Sequence, residues 1–284
     1  MGVSISGGFK SLIQTRISTP APETATVGGN RFYIIGLSGQ IHQYNLTNAF
    51  DLSSGVTYVQ SHTPANTGGT NIRTLHFKPD GTRMWVGDNN TGSINTPKNI
   101  VQYDLSTAWD ISTANAGTVT PVAQTIFQGM HFKFDGTVLY VAGNGTQDGI
   151  HQYNLNTAWD TSTLPSPQFK NTGAFGTGVP VGVFFNDTGT VVYTNDNGII
   201  NITSLSTAYD ITSTNTNLPA LNHTGNPQGH IFSNDGNTLF GADRGNGVRQ
   251  YSVSTAFDLT STVTLTNTLN VSAQETDVFD VAFG

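Results

Sequence analysis

The stretch IVQYDLSTAWDI, residues 100–111, decides the fold because the chain repeats it. IHQYNLTNAFDL begins at Ile41, IHQYNLNTAWDT at Ile150, INITSLSTAYDI at Ile200 and VRQYSVSTAFDL at Val248. The copies start about fifty residues apart. A second stretch precedes four of them: LHFKPDGTRMWVGD from Leu75, MHFKFDGTVLYVAG from Met130, VFFNDTGTVVYTND from Val183 and HIFSNDGNTLFGAD from His230. Its centre is a Gly-containing turn between alternating apolar residues, a strong hairpin signal because glycine supplies the positive φ that tight turns need.

Each period therefore reads as four strands. Strand A ends at Phe77, Phe132, Phe185 or Phe232, and strand B follows the turn. Strand C is the IVQYDL segment, and strand D is the Thr/Val-rich run after the Thr-Ala-aromatic-Asp turn. No sustained 3.6-residue period appears, so no helices are required. Four-stranded units at such spacing signal a β-propeller. GGNRFYIIG, residues 28–36, matches strand B with no strand A before it, and VFDVAFG, residues 278–284, matches strand A with no strand B after it. Joining the two ends gives an all-β, five-bladed propeller closed by its C-terminal strand, which removes two exposed edges. The expected organisation is an N-terminal arm over residues 1–27 and a propeller over 28–284.

Composition narrows the function classes. Charged residues are 10% of the chain, with 11 Lys plus Arg against 18 Asp plus Glu and a net charge of −7. No basic run exists to neutralise phosphates, so nucleic-acid binding is not expected. Cysteine is absent, which excludes disulfides and thiol chemistry. No apolar run approaches the ~18 residues of a membrane helix, and the start of the chain does not read as a secretion signal.

The repeated Asp of the Thr-Ala-aromatic-Asp turn fits an Asx-turn, since a short carboxylate accepts nearby backbone N–H groups. Its aromatic neighbour would cover the blade edge, with Trp109 and Trp159 as candidates for stacking on sugars. His76 and His131 share a register with Phe184, Ile231 and Ala282, which reads as a core position with satisfied imidazoles. His42 and His151 share another register, read as a half-exposed sheet face. Asp88, Asp196 and Asp243 end strand B, and Asn89, Asn144, Asp148, Asn195 and Arg244 are read as loop residues behind them. Together they form a candidate binding rim on the face of the B–C loops, for sugar hydroxyls or a calcium ion; no cofactor is otherwise expected. Arg73, Gln128, Val181, Gln228 and Phe279 share one register and should line or plug the channel mouth.

The joined pattern, Ile-x-Gln-Tyr-x-Leu-Ser-Thr-Ala-Trp-Asp-Ile with Phe-x-x-Asp-Gly-Thr-x-Leu-Tyr-Val, resembles propeller repeats common in phage and marine bacterial proteins. These are loosely similar to the YVTN and lactonase-like propellers. The resemblance covers residues 28–284 and implies a non-enzymatic virion protein, attached to tail or capsid in multiple copies. Its arm, carrying Lys10 and Arg16, would meet other virion proteins, and its loop face a host glycan. The expected location is the virion surface, with no membrane insertion. Two other readings remain open: a secreted or surface carbohydrate-binding bacterial propeller, and a glycoside hydrolase or lactonase-like enzyme. The second is set back by the scarcity of Glu, present only as Glu23 and Glu275.

Overall fold

The computed structural model describes residues 28–70, 72–89, 97–145, 147–176, 178–196, 198–223, 225–245 and 247–284. The arm, with Lys10 and Arg16, lies outside the described residues. Blade I holds β1 (Arg31–Gly36), β2 (Ile41–Leu46) and β3 (Val56–His62). Blade II holds β4 (Ile72–Phe77), β5 (Arg83–Asp88), β6 (Asn99–Asp104) and β7 (Thr118–Pro121). Blade III holds β8 (Ile126–Phe132), β9 (Val138–Asn144), β10 (Gly149–Asn154) and β11 (Gln168–Asn171). Blade IV holds β12 (Gly182–Phe185), β13 (Val191–Asp196), β14 (Ile199–Leu205) and β15 (Asn215–Asn222). Blade V holds β16 (Pro227–Phe232), β17 (Thr238–Asp243), β18 (Gly247–Val253) and β19 (Val263–Leu269). The last strand, β20 (Val278–Phe283), returns to blade I and pairs antiparallel with β1, Phe32 facing Phe283 and Ile34 facing Val281. Each blade is thus a four-stranded antiparallel sheet, and the five-bladed closure expected from the repeat is what the chain adopts.

The core lies between blades. Tyr33 and Ile35 of blade I pack with Leu75 and Val86 of blade II, and Phe32 and Ile34 pack on the other side with Phe240 and Ala242 of blade V. Alternation sends successive side chains to opposite faces, so β1 serves two junctions.

The repeated turn residues explain how the blades are fastened. Phe50, Trp109, Trp159, Tyr209 and Phe257 all sit at φ between 56° and 66°. Non-glycine residues rarely adopt this region. Each donates its backbone N–H to a glycine carbonyl, as Trp159 does to Gly136 at 2.9 Å and Tyr209 to Gly189 at 2.8 Å. The next residue makes the expected Asx-turn: Asp110 Oδ1 accepts from the Ser112 N–H at 3.0 Å, and Asp258 Oδ1 from Thr260 at 2.9 Å. Across blades, the Tyr33, Tyr140 and Tyr193 hydroxyls donate to the carbonyls of Trp109, Tyr209 and Phe257. The Gln of the Gln-Tyr pair does a second job. Gln102, Gln152 and Gln250 accept from the N–H groups of Thr161, Ile211 and Leu52 in the neighbouring blade.

Candidate functional site

The channel between the five inner strands is barred part-way along. Thr74, Gly129, Gly182, Gly229 and Asp280 hold equivalent places on these strands. The glycines mark close approach, because a Cβ on Gly129 would lie 2.8 Å from the Gly182 Cα and one on Gly229 would lie 1.9 Å from Asp280 Oδ1. Asp280 is the large residue of the ring. Its Oδ2 accepts from the Thr74 hydroxyl at 2.7 Å and the Leu75 N–H at 2.9 Å, and Oδ1 accepts from Val281 N–H at 2.9 Å. Burial raises its pKa to about 6 against these three donors.

On the side of the A–B turns the channel widens into a cavity of about 830 Å³, with Asp280 among its lining residues. Its wall is aromatic, including Phe132, Trp159, Phe184, Phe185 and Tyr209. His76 and His131 project into this wall, with ring centroids 6.2 Å apart. His76 stacks parallel to Trp159, and His131 lies 5.5 Å from Phe185. Both are half-buried and take no side-chain hydrogen bond among the described residues. This corrects the sequence expectation of satisfied core imidazoles. The reason is position: the register that holds Phe and Ile elsewhere is apolar, but it faces the cavity instead of a sealed core. Desolvation lowers the pKa of His76 to about 4, and that of His131 to about 3 with a further contribution from His76. Both are therefore neutral at pH 7 and can donate and accept one hydrogen bond each.

The rim of the cavity is polar and comes from the A–B turns. Lys133 bridges to Asp135 at 2.8 Å and holds its ammonium 5.5 Å above the Tyr209 ring. Phe134 stands at the same rim and is 39% exposed. An apolar cavity with a few polar groups and perturbed ionisations is the arrangement that binds small ligands.

The rim residues expected from sequence belong to the opposite face, where all but Asn144, whose Oδ1 takes no hydrogen bond among the described residues, are occupied locally. Asp88 Oδ2 accepts from the Gly68 N–H at 2.9 Å, Asp196 Oδ2 from Gly178 at 2.8 Å, and Asp243 Oδ1 from Asn226 at 2.8 Å. Each thereby ties down the connector entering its own blade. Asp243 also pairs with Arg249 at 2.5 Å, and it and Asp88 are fully buried. Blades I and III have Gly36 and Gly143 at this place, and the connector answers: Glu275 accepts from the Ser38 N–H, and Gln124 donates to the Gly149 carbonyl. Asn89 accepts from the Phe127 N–H of the next blade, Asp148 closes a turn on Gly145, and Arg244 pairs with Asp277 at 3.2 Å. Asn144 ends β9 half-buried.

Asn195 needs correction. It is not a loop residue but the fifth residue of β13, fully buried, donating to the Gln228 carbonyl and meeting His230 Nδ1 at 2.7 Å. Sequence register shows why: it shares its place with Gly87, Ala142 and Ala242, one step inside the strand end. His42 and His151 also depart from expectation, being 3% and 2% exposed. Among the described residues no three His, Asp or Glu side chains converge as a metal site.

No family model matches the chain, and no curated protein matches it. Solved structures do. A functionally unknown protein from Desulfotomaculum acetoxidans aligns at TM-score 0.44 and 12% identity, over 86% of this chain and 68% of that one. A Bacteroides uniformis protein named "putative 6-phosphogluconolactonase" aligns at TM-score 0.49 and 15% identity, over 91% of this chain and 72% of that one.

The two tryptophans separate. Trp159 lines the cavity, whereas the Trp109 ring lies against Gly81, Gly284 and Phe77. The cavity as a whole was missed from sequence, although its signal was present. Strand A ends in an aromatic pair beside the turn in three blades, His-Phe twice and Phe-Phe once, and in Ile231-Phe232 and Ala282-Phe283 in the other two, and these five ends must meet around one axis.

Proposed function

We propose that this chain is a non-enzymatic recognition module that takes a host-surface glycan in the cavity on its A–B turn face, displayed in several copies on a phage particle. The carrying observation is the aromatic cavity with two neutral imidazoles in its wall. Aromatic faces suit the C–H faces of sugar rings, and neutral imidazoles and the polar rim offer partners for hydroxyls. The fastened blades supply rigidity, so ordering costs on binding are small. Single contacts of this kind are weak, and multiple copies on a particle give avidity. The resemblance of the repeats to those of phage proteins supports the particle setting, with residues 1–27 as the docking arm.

Two measurements test this. On a glycan array, the chain should retain a defined set of glycans, and Phe134→Ala should lose about tenfold in affinity, in line with the worth of an aromatic contact. An array with no retained glycan, or one unchanged by Phe134→Ala, counts against the cavity. Mass spectrometry of purified particles from the source should find the chain in stoichiometric amount, and its absence sinks the virion setting.

A further inference from the structure

At the other end of the channel, beyond the Asp280 bar, four of the five inner strands carry a bulge, which places Arg73, Gln128, Gln228 and Phe279 there. The Arg73 guanidinium lies 4.1 Å from the Phe279 ring centroid, and Arg244 lies 5.7 Å from the same centroid. Two cations thus share one aromatic ring. One carboxylate, Asp277, stands beside them, and it pairs with Arg244. Arg73 is half-buried, and its side chain takes no ion pair and no hydrogen bond among the described residues. Its Nε is sealed from solvent without an acceptor. Burial and the nearby Arg244 lower its pKa to about 10, and Asp277 offsets this only in part. The chain carries 11 basic residues against 18 acidic ones, so a surplus of positive charge at one mouth of the channel runs against its overall balance.

A desolvated charge needs a partner of opposite sign or it costs stability. Stacking on Phe279 supplies part of the compensation, because a cation over a ring face is attracted by the quadrupole. It leaves the in-plane donors of the guanidinium unused, and these match oxyanions in a fork. We infer that this mouth of the channel is a binding site for an oxyanion group, phosphate or carboxylate, held by the Arg73 guanidinium with Arg244 beside it. The site is separate from the cavity, and the inference does not rest on the glycan reading.

The test is titration of the full chain with inorganic phosphate and, in parallel, with acetate, each followed by calorimetry at constant ionic strength in chloride. Saturable binding of phosphate, of acetate or of both is expected, and the stronger of the two identifies the group. Arg73→Gln should weaken it at least tenfold, and Arg244→Gln by a smaller factor. Arg83→Gln, which breaks a surface pair elsewhere, should leave it unchanged. Should Arg73→Gln fail to fold, Arg73→Lys keeps charge and stem but loses the fork, and weaker binding is again expected. The inference is overturned if neither anion binds saturably to the native chain, or if the Arg73 variants bind as the native chain does.

Discussion

The two ends of the channel carry the same repeat and use it differently. On the loop face, Asp88, Asp196 and Asp243 turn inward to hold the connectors of their own blades. On the A–B turn face, the aromatic residues of each blade lean over its turn glycine, and the remaining wall stays open as a cavity. Polar groups that look available in the sequence are consumed as structure at one end. Apolar groups that look like core are left facing space at the other. A repeated residue is thus weak evidence for a ligand when each blade can use it alone, and an inner-strand residue gains meaning only where all five blades converge.

The largest expected effect tests the loop face. Asp243→Ala removes a fully buried carboxylate that holds Arg249 and the Asn226 N–H. Leaving the guanidinium alone should cost about 3–5 kcal/mol, read as a lowered urea midpoint. A loss below about 1 kcal/mol, the scale of an exposed ion pair, would contradict the structural role of this end. Next comes the turn face. Gly136 sits at φ 72°, and a Cβ there would lie 2.3 Å from the Trp159 ring. Gly136→Ala should cost about 2–4 kcal/mol, combining the left-handed backbone with displacement of the ring. The same substitution should also change ligand retention, since Trp159 lines the cavity.

A third prediction uses pH to sharpen the contrast. His76 and His131 titrate at about 4 and 3 in the folded chain and near 6.5 when unfolded. Below pH 6.5 the unfolded chain therefore binds more protons, and stability that is complete above that pH falls on acidification. Asp280 acts in the opposite sense. Its folded pKa of about 6 lies above the unfolded 3.8, so its contribution is present at low pH and is lost as pH rises through 6. Urea midpoints between pH 4 and 7.5 should show a flatter acid limb in His131→Phe, which copies Phe184 of blade IV. Asp280→Asn should show a steeper one. Equal slopes in all three chains would mean that the cavity groups are not desolvated. The smallest expected effect is on Phe134→Ala. Its stability should stay within about 0.5 kcal/mol of the native chain, as for most exposed positions, so that any change in binding reports on the cavity mouth.

Much of this was legible in the residues. Phe77, Phe132, Phe185 and Phe232 end inner strands as the repeat predicts, and Asp110 and Asp258 make Asx-turns. Local geometry sets both, because alternation and turn chemistry act over a few residues. His76 and His131 were misplaced for the opposite reason. Their register identifies an apolar face but does not say whether another blade closes over it. Glu275 could not be linked to Ser38, since that contact spans the whole chain. The missing cavity follows from the same limit. Its size depends on how far five blades stand from a shared axis, which no single repeat encodes.

By itself, then, the sequence determined the blade: four strands, tight glycine turns, a capping Asp and an end-to-end closure that leaves no open seam. These follow from the period-two pattern and from the backbone demands of the turns. Only the tertiary structure decided where the channel is barred, which mouth is aromatic and which is cationic. Glycines at Gly129, Gly182 and Gly229 let the inner strands converge around Asp280, and that convergence separates one channel into two different environments.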